Sequence, residues 1–207
     1  MSIHDISRPF MLYFRTKRMK IFSNIFKINK STHIIDIGGT EFNWKLIFEK
    51  PKITMVNIRG EAYIDGRFEH KIGDATELKL KDNSYDIAYS NSVIEHVGDW
   101  SKQQAFAREL RRLAPKYYVQ TPNRRFFMEP HYITPFVHWF PKSVRQKILR
   151  YGSVWGLIKR PSPEKIKKMV DEIELLDIKQ MHELFPDAVI KRERFLGMTK
   201  SLIAVKI

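Results

Sequence analysis

The 207-residue chain contains no cysteine. That absence excludes disulfides, cysteine-ligated zinc and thiol catalysis, and it fits a reducing compartment. Long apolar runs are missing as well. No stretch is long enough to cross a bilayer, and the run from Phe10 to Phe14, interrupted at Arg15, is too short for a secretory leader. No internal repeat or low-complexity segment is present. Acidic residues are scarce, 23 against 37 Lys and Arg, so the formal net charge is +14. The remaining expectation is one cytoplasmic domain, alone or with an appended subdomain, long enough to bury a substantial core.

The positive charge is concentrated in two places. Between Lys116 and Lys168, twelve basic residues face only Glu129 and Glu164, and up to Lys30 seven basic residues face only Asp5. Patches of this kind attract phosphates, acidic lipids, anionic glycans or nucleic acid, although a solvated face can carry the same charge. Met19, Phe22 and Phe26 align on one helical side with Lys17, Arg18, Lys20 and Lys27 nearby. Residues 1–30 therefore read as a basic amphipathic arm, suited either to the inner membrane surface or to packing on the rest of the fold.

The most informative stretch is Ile34-Ile35-Asp36-Ile37-Gly38-Gly39-Thr40. A β-branched strand stops in an acidic residue and a glycine turn, and the spacing predicts a helix over Glu41 to Glu49. Further strands are expected at Thr32 to Ile37, Lys52 to Ile58, Phe68 to Gly73, Tyr85 to Ser90 and Lys116 to Gln120, with a helix over Trp100 to Leu113. Strands alternating with helices at this pitch argue for a parallel sheet covered on both faces. Residues 124–163 break the pattern with aromatic, basic and proline-marked sequence, which suggests a cap inserted over the ligand edge. Ser162 starts a helix, and Val189 to Phe195 with Ser201 to Ile207 close the chain as two strands around Gly197.

In an open α/β sheet the ligand lies beyond the carboxyl ends of the strands. Here those ends carry Asp36-Gly38-Gly39, Asn57, Asp74, Ser90-Asn91 and Thr121-Pro122-Asn123. The set resembles a class I S-adenosylmethionine-dependent methyltransferase. Ile35 to Gly39 is similar to that family's glycine-rich motif, Asn57 stands where an acidic residue normally holds the ribose, Gly73-Asp74-Ala75 resembles the adenine-contacting segment, and Tyr85 to Val97 is similar to the fourth-strand motif. The resemblance implies a three-layer, Rossmann-like, seven-stranded, mostly parallel α/β sheet with a closing antiparallel hairpin and a helical insertion after the fifth strand. It also implies a methyltransferase domain over 31–207, S-adenosylmethionine as cofactor, and contacts from Asp36, Gly38, Gly39, Thr40, Asn57, Asp74, Ala75, Ser90 and Asn91. Thr40 and Phe42 depart from the usual glycines. Asn57 lacks the charge of a carboxylate, so Asn57→Asp is expected to tighten cofactor binding.

Methyl transfer from a sulfonium is an in-line displacement that depends on alignment, and an oxygen or nitrogen acceptor also needs a base. His131, Glu129 and His96 lie near the expected mouth and are the candidates, with His131 first. Glu95-His96 resembles the pair that helps hold a divalent metal in quinone O-methyltransferases, but Ser92 replaces that family's additional Glu, so no metal is expected. The Glu129-Pro130-His131-Tyr132 segment resembles bacterial methyltransferases of surface-glycan or lipid-linked sugar biosynthesis. Tyr132, Phe136 and Trp139 could stack on a sugar while Arg124 and Arg125 pair with phosphate. An anionic or lipid-linked acceptor is the leading expectation. A nucleic-acid methyltransferase is disfavoured by the missing Asn-Pro-Pro-Tyr type motif, and a non-catalytic basic binding module on the same fold is the competing class. A NAD-dependent dehydrogenase is disfavoured because the turn lacks the full dinucleotide fingerprint.

Overall fold

The computed structural model describes residues 3–129 and 131–207, with side chains from residue 12 onward except those of 154 and 155. Pro130 and the side chain of Arg8 lie outside the described set. Helix α1 (Ile3–Phe26) leads into β1 (His33–Ile37), α2 (Glu41–Trp44), β2 (Lys52–Asn57), β3 (Tyr63–Asp65), β4 (Phe68–Ile72), β5 (Ile87–Asn91), α3 (Trp100–Leu113) and β6 (Lys116–Pro122). The cap follows with a small hairpin of β7 (Met128–Glu129) and β8 (Thr134–Pro135), then α4 (Lys142–Lys147), α5 (Val154–Lys159) and α6 (Pro163–Asp171). Helix α7 (Ile178–Leu184) and the pair β9 (Val189–Phe195) and β10 (Met198–Lys206) close the chain.

Apart from the β7-β8 hairpin, the strands form one sheet in the order β3-β4-β2-β1-β5-β6-β10-β9. The run β4-β2-β1-β5-β6 is parallel, and β10 returns antiparallel to β6 with β9 outside it. The sheet has eight strands instead of the expected seven. The extra one, β3, is a three-residue exposed edge antiparallel to β4, reached through Gly66 at φ +56°. A three-residue strand gives too short a period-2 signal to read from the sequence.

Alternation along the strands divides the core into two layers. Ile35, Ile37, Ala88, Tyr117 and Val119 face α3 and α7 through Phe106, Leu110, Leu113, Met181 and Leu184. Ile34, Ile53, Tyr89 and Tyr118 face Met19, Phe22 and Phe26 of α1 and Trp44 of α2. The apolar stripe of residues 1–30 is thus spent on the sheet, with the Phe22 ring 4.9 Å from Tyr89 and 5.3 Å from Tyr118. Of the two readings of the arm, the chain adopts packing on the fold for this stripe. Arg18, one of the seven basic residues of the arm, is buried between the side chains of Asn91, Gln120 and Glu193.

Local chemistry explains the boundaries. Asp99 caps α3 by accepting from the Lys102 backbone N–H, Ser162 caps α6 ahead of Pro163, and Asp177 with Gln180 forms a capping box on α7. Helix α2 stops at Trp44, well short of the expected Glu49. Arg67 donates to the Trp44 carbonyl, and Lys50 takes φ +51° before Pro51, where α conformation is disfavoured. The cap has its own core of Tyr132, Val137, Leu149, Ile166 and Val170, so it runs on through α6 beyond the expected limit at 163.

Candidate active site

The glycine turn after β1 is tight on every side. Gly38 sits at φ +75°, donates to the Val56 carbonyl at 2.8 Å, and leaves no room for a Cβ, which would meet Val93 at 2.5 Å. A Cβ on Gly39 would fall 1.8 Å from Asp36 Oδ2. Both positions therefore demand glycine, one for its dihedral and one for the close approach. Asp36 itself is wholly buried beneath the turn, where its Oδ2 accepts from Trp44 Nε1 at 2.7 Å and its Oδ1 has no partner. Burial pushes its pKa up to about 7 against the lowering effect of the Trp44 hydrogen bond.

The nine expected cofactor residues separate into two groups. Gly38, Gly39, Thr40, Asn57, Asp74, Ala75 and Asn91 lie along the carboxyl edge of the strands with part of their surface open. Asp36 and Ser90 are fully buried, and the Ser90 hydroxyl donates to the Ile37 carbonyl at 3.0 Å, so these two hold the turn in place and do not line the cleft. Asn57 Nδ2 donates to the Gly39 carbonyl at 3.1 Å. That bond needs an amide donor, and a carboxylate there would face the carbonyl with lone pairs only. This hydrogen bond argues against the expectation that Asn57→Asp tightens cofactor binding. Asp74 Oδ1 accepts from both the backbone N–H and the hydroxyl of Thr76, which makes it an Asx-turn residue as well as an edge residue.

On the cap side the three expected catalytic residues converge. His96 Nε2 and His131 Nε2 stand 3.1 Å apart, and His131 Nδ1 is 2.7 Å from Glu129 Oε1. The other Glu129 oxygen accepts from the Tyr132 backbone N–H at 2.7 Å, and the carboxylate is almost fully buried. Burial and then the neighbouring His131 push the His96 pKa down to about 4. For His131 burial lowers the pKa, but the hydrogen bond and charge of Glu129 and the nearby Glu95 outweigh it, and the net direction is up. Glu95, wholly buried, joins them from the turn after β5, and burial raises its carboxyl to about 7. The pairing of Glu129 with His131 is visible in sequence as an i,i+2 spacing, but its meeting with His96 spans 35 residues and leaves no local signal.

Sequence reasoning missed the basic pair that roofs this edge. Arg18 reaches Asn91 from α1, and the Arg15 guanidinium lies 5.5 Å over the Phe42 ring just after the glycine turn. The sequence shows them only as two members of the arm's basic patch, because the contacts arise from the way α1 crosses the sheet. Of the aromatics expected to stack on an acceptor, Tyr132 is taken into the cap core, where its hydroxyl donates to the Met169 carbonyl. Phe136 and Trp139 remain about half exposed and pair at 5.0 Å.

Residues 50–116 match the family model for a methyltransferase domain. That stretch is less than half of the chain, so the match is a likeness to methyltransferase domains over those residues. Among solved structures, the chain is similar to a Rhodobacter sphaeroides protein whose name proposes a Zn-dependent alcohol dehydrogenase, with TM-score 0.59 and 13% identity over 91% of this chain and 88% of that one. It is similar to a SAM-dependent methyltransferase of Methanosarcina mazei, with TM-score 0.51 and 18% identity over 87% and 94% of the two chains. It is also similar to phosphoethanolamine N-methyltransferase 2 of Haemonchus contortus in complex with S-adenosyl-L-methionine, with TM-score 0.55 and 12% identity over 85% of this chain and 38% of that longer one. At these identities the shared property is the fold. No curated protein is similar to it in sequence.

Proposed function

We propose that the methyltransferase moves the methyl group of S-adenosylmethionine to an anionic acceptor, a phosphate-bearing or lipid-linked glycan, seated between the glycine edge and the cap. The observation that carries this reading is the convergence of His96, His131 and Glu129 beside the strand ends. The sulfonium supplies an activated methyl and a neutral leaving thioether. Gly38, Gly39 and Asn57 fix the backbone against which such a nucleoside rests, and the residues of the cap orient the acceptor. Glu129 holds the His131 ring by its Nδ1 side, as a carboxylate does in many acid–base pairs, which leaves the contacting Nε2 atoms of His131 and His96 to take the acceptor's proton as the new bond to carbon forms.

Support for an anionic acceptor comes from a groove of about 390 Å3 lined by Arg124, Arg125, His138 and Trp139. Arg124 is already paired with Asp177 at 2.6 Å, which leaves Arg125 as the better phosphate partner of the two. Peripheral contact with the inner membrane surface is a weaker part of the reading, since Met19, Phe22 and Phe26 are buried. It rests on the exposed Leu12, Tyr13 and Ile21. No helix among the described residues is long and apolar enough to cross a membrane.

The test is transfer of labelled methyl to phosphorylated and lipid-linked glycans, to their neutral counterparts, and to structured RNA. Transfer to the charged glycans that weakens at least tenfold in Arg125→Ala is the expected result. Equal transfer to neutral and charged glycans, or transfer to RNA alone, would overturn the acceptor assignment.

A further inference from the structure

The His96–His131 contact sets an electrostatic problem. His131 has an acceptor on its far side, the Glu129 carboxylate at Nδ1. An imidazole that donates outward from one nitrogen carries a lone pair on the other. His131 Nε2, 3.1 Å from His96 Nε2, then presents a lone pair toward that ring, and something positive has to meet it. A shared proton is one solution. A metal ion is the other, and a ligating histidine that donates its remaining N–H to a carboxylate or backbone carbonyl is the usual outer arrangement of metal sites.

A third donor is in place. A Glu95 carboxylate oxygen and one nitrogen each of His96 and His131 lie within 4.8 Å of one another. Glu95 Oε1 is buried with no hydrogen-bond partner, while Oε2 is held by the Thr121 hydroxyl at 2.9 Å. Burying a carboxylate oxygen with nothing to meet it is costly, and a cation relieves that cost. Ser92, where sequence comparison looks for another carboxylate, is turned away and donates to Gln120. The missing ligand comes from the cap.

We propose that Glu95, His96 and His131 bind a divalent first-row transition metal of the Zn2+, Co2+ or Fe2+ type. Two imidazoles and one carboxylate, without thiolate, suit these ions better than Mg2+ or Ca2+, which prefer all-oxygen sets. His96 is exposed and His131 partly so, which leaves coordination positions open on the cleft side. In the methyltransferase reading, on which only this consequence rests, an acceptor oxygen at such a position loses its proton more readily and passes it to water, and ligation through the two Nε2 atoms replaces the proton-accepting role they have in the metal-free pair.

The experiment uses untagged full-length protein stripped of metal and titrated with Co2+, then with Zn2+ as competitor, with S-adenosylmethionine binding measured on the same samples. One Co2+ per chain with visible ligand-field bands, displaced by Zn2+, is expected. His96→Ala and His131→Ala should abolish the bands, Glu129→Ala should weaken Co2+ binding ten- to a hundredfold, and His182→Ala, at an exposed position on α7, should leave binding unchanged. Should a variant fail to fold, histidine 15N spectra of the wild-type chain decide: Zn2+ must shift the Nε2 signals of His96 and His131 and spare the other histidines. Co2+ binding that survives the double His96→Ala/His131→Ala variant, or no Co2+ binding by the wild type, overturns the site. Metal binding without S-adenosylmethionine binding would leave the site standing and remove the methyl-transfer reading, and the reverse result would do the opposite.

Discussion

The two sides of the cleft are built by opposite means. The glycine edge is made from neighbours in sequence: Asp36, Gly38 and Gly39 lie within four positions, and their contacts with Trp44 and Asn57 cross one βαβ unit. The cap side is made from residues far apart, with Glu95 and His96 on one turn and Glu129 and His131 on another, joined because the cap folds back over β5 and β6. The first is a packing device, with small residues and a buried acid that let backbone come close. The second is a cluster of titratable groups with reactive atoms left open. The glycine edge should therefore govern cofactor affinity, and the cap side should govern turnover.

The largest expected effect breaks the cap side alone. His131→Ala should lower kcat by roughly a hundredfold or more, the usual worth of a positioned acid–base group, while S-adenosylmethionine affinity by calorimetry stays within a few-fold. A parallel loss of affinity would show that the two sides are one unit. Next is Gly39→Ala, whose Cβ would collide with Asp36 Oδ2. It should weaken cofactor binding at least tenfold and lower the melting temperature. An unchanged affinity would mean that the turn does not approach the ligand.

The buried Asp36 offers a smaller effect with a definite sign. Its native pKa, raised to about 7 from an ordinary 3.8, means that the folded chain holds a proton which the unfolded chain releases at lower pH. This group's stabilisation is complete below pH 4 and is lost as pH rises through 7. Asp36→Asn keeps an acceptor for Trp44 and removes the titration. The fall in stability of the wild type between pH 5 and 8 should exceed that of the variant by on the order of 2 kcal/mol in urea unfolding. Identical pH profiles would show that the acid is not sequestered. The smallest effect is that of Asn57→Asp, which removes the donor to the Gly39 carbonyl and should weaken S-adenosylmethionine binding several-fold. Tighter binding would mean that the side chain serves the ligand instead of the turn.

Legibility in the sequence followed the same division. The strand at Ile34 to Ile37, the helix over Trp100 to Leu113 and the closing pair of strands were readable because their periodicity and end signals are local. Helix α2 was overextended because Arg67 and Pro51, which end it, lie outside its own pattern. The arm's apolar stripe was found, but its target could not be chosen, since a membrane and a sheet face ask for the same amphipathic helix. Arg18 looked like any surface cation until α1 was laid across Asn91 and Glu193. Asp36, Asn57 and Ser90 were found at the right edge, with the direction of their side chains hidden. Glu95 and His96 looked like an incomplete ligand pair because the third donor lies 35 positions beyond His96.

The central claim is that the carboxyl edge of this sheet holds S-adenosylmethionine. Calorimetric titration with S-adenosylmethionine, S-adenosylhomocysteine and NAD, on the wild type and on Gly39→Ala, tests it most directly. Saturable micromolar binding of the first two, none of NAD, and at least tenfold loss in the variant is the predicted result. Absence of binding by both adenosyl ligands, or binding indifferent to the substitution at Gly39, would contradict it.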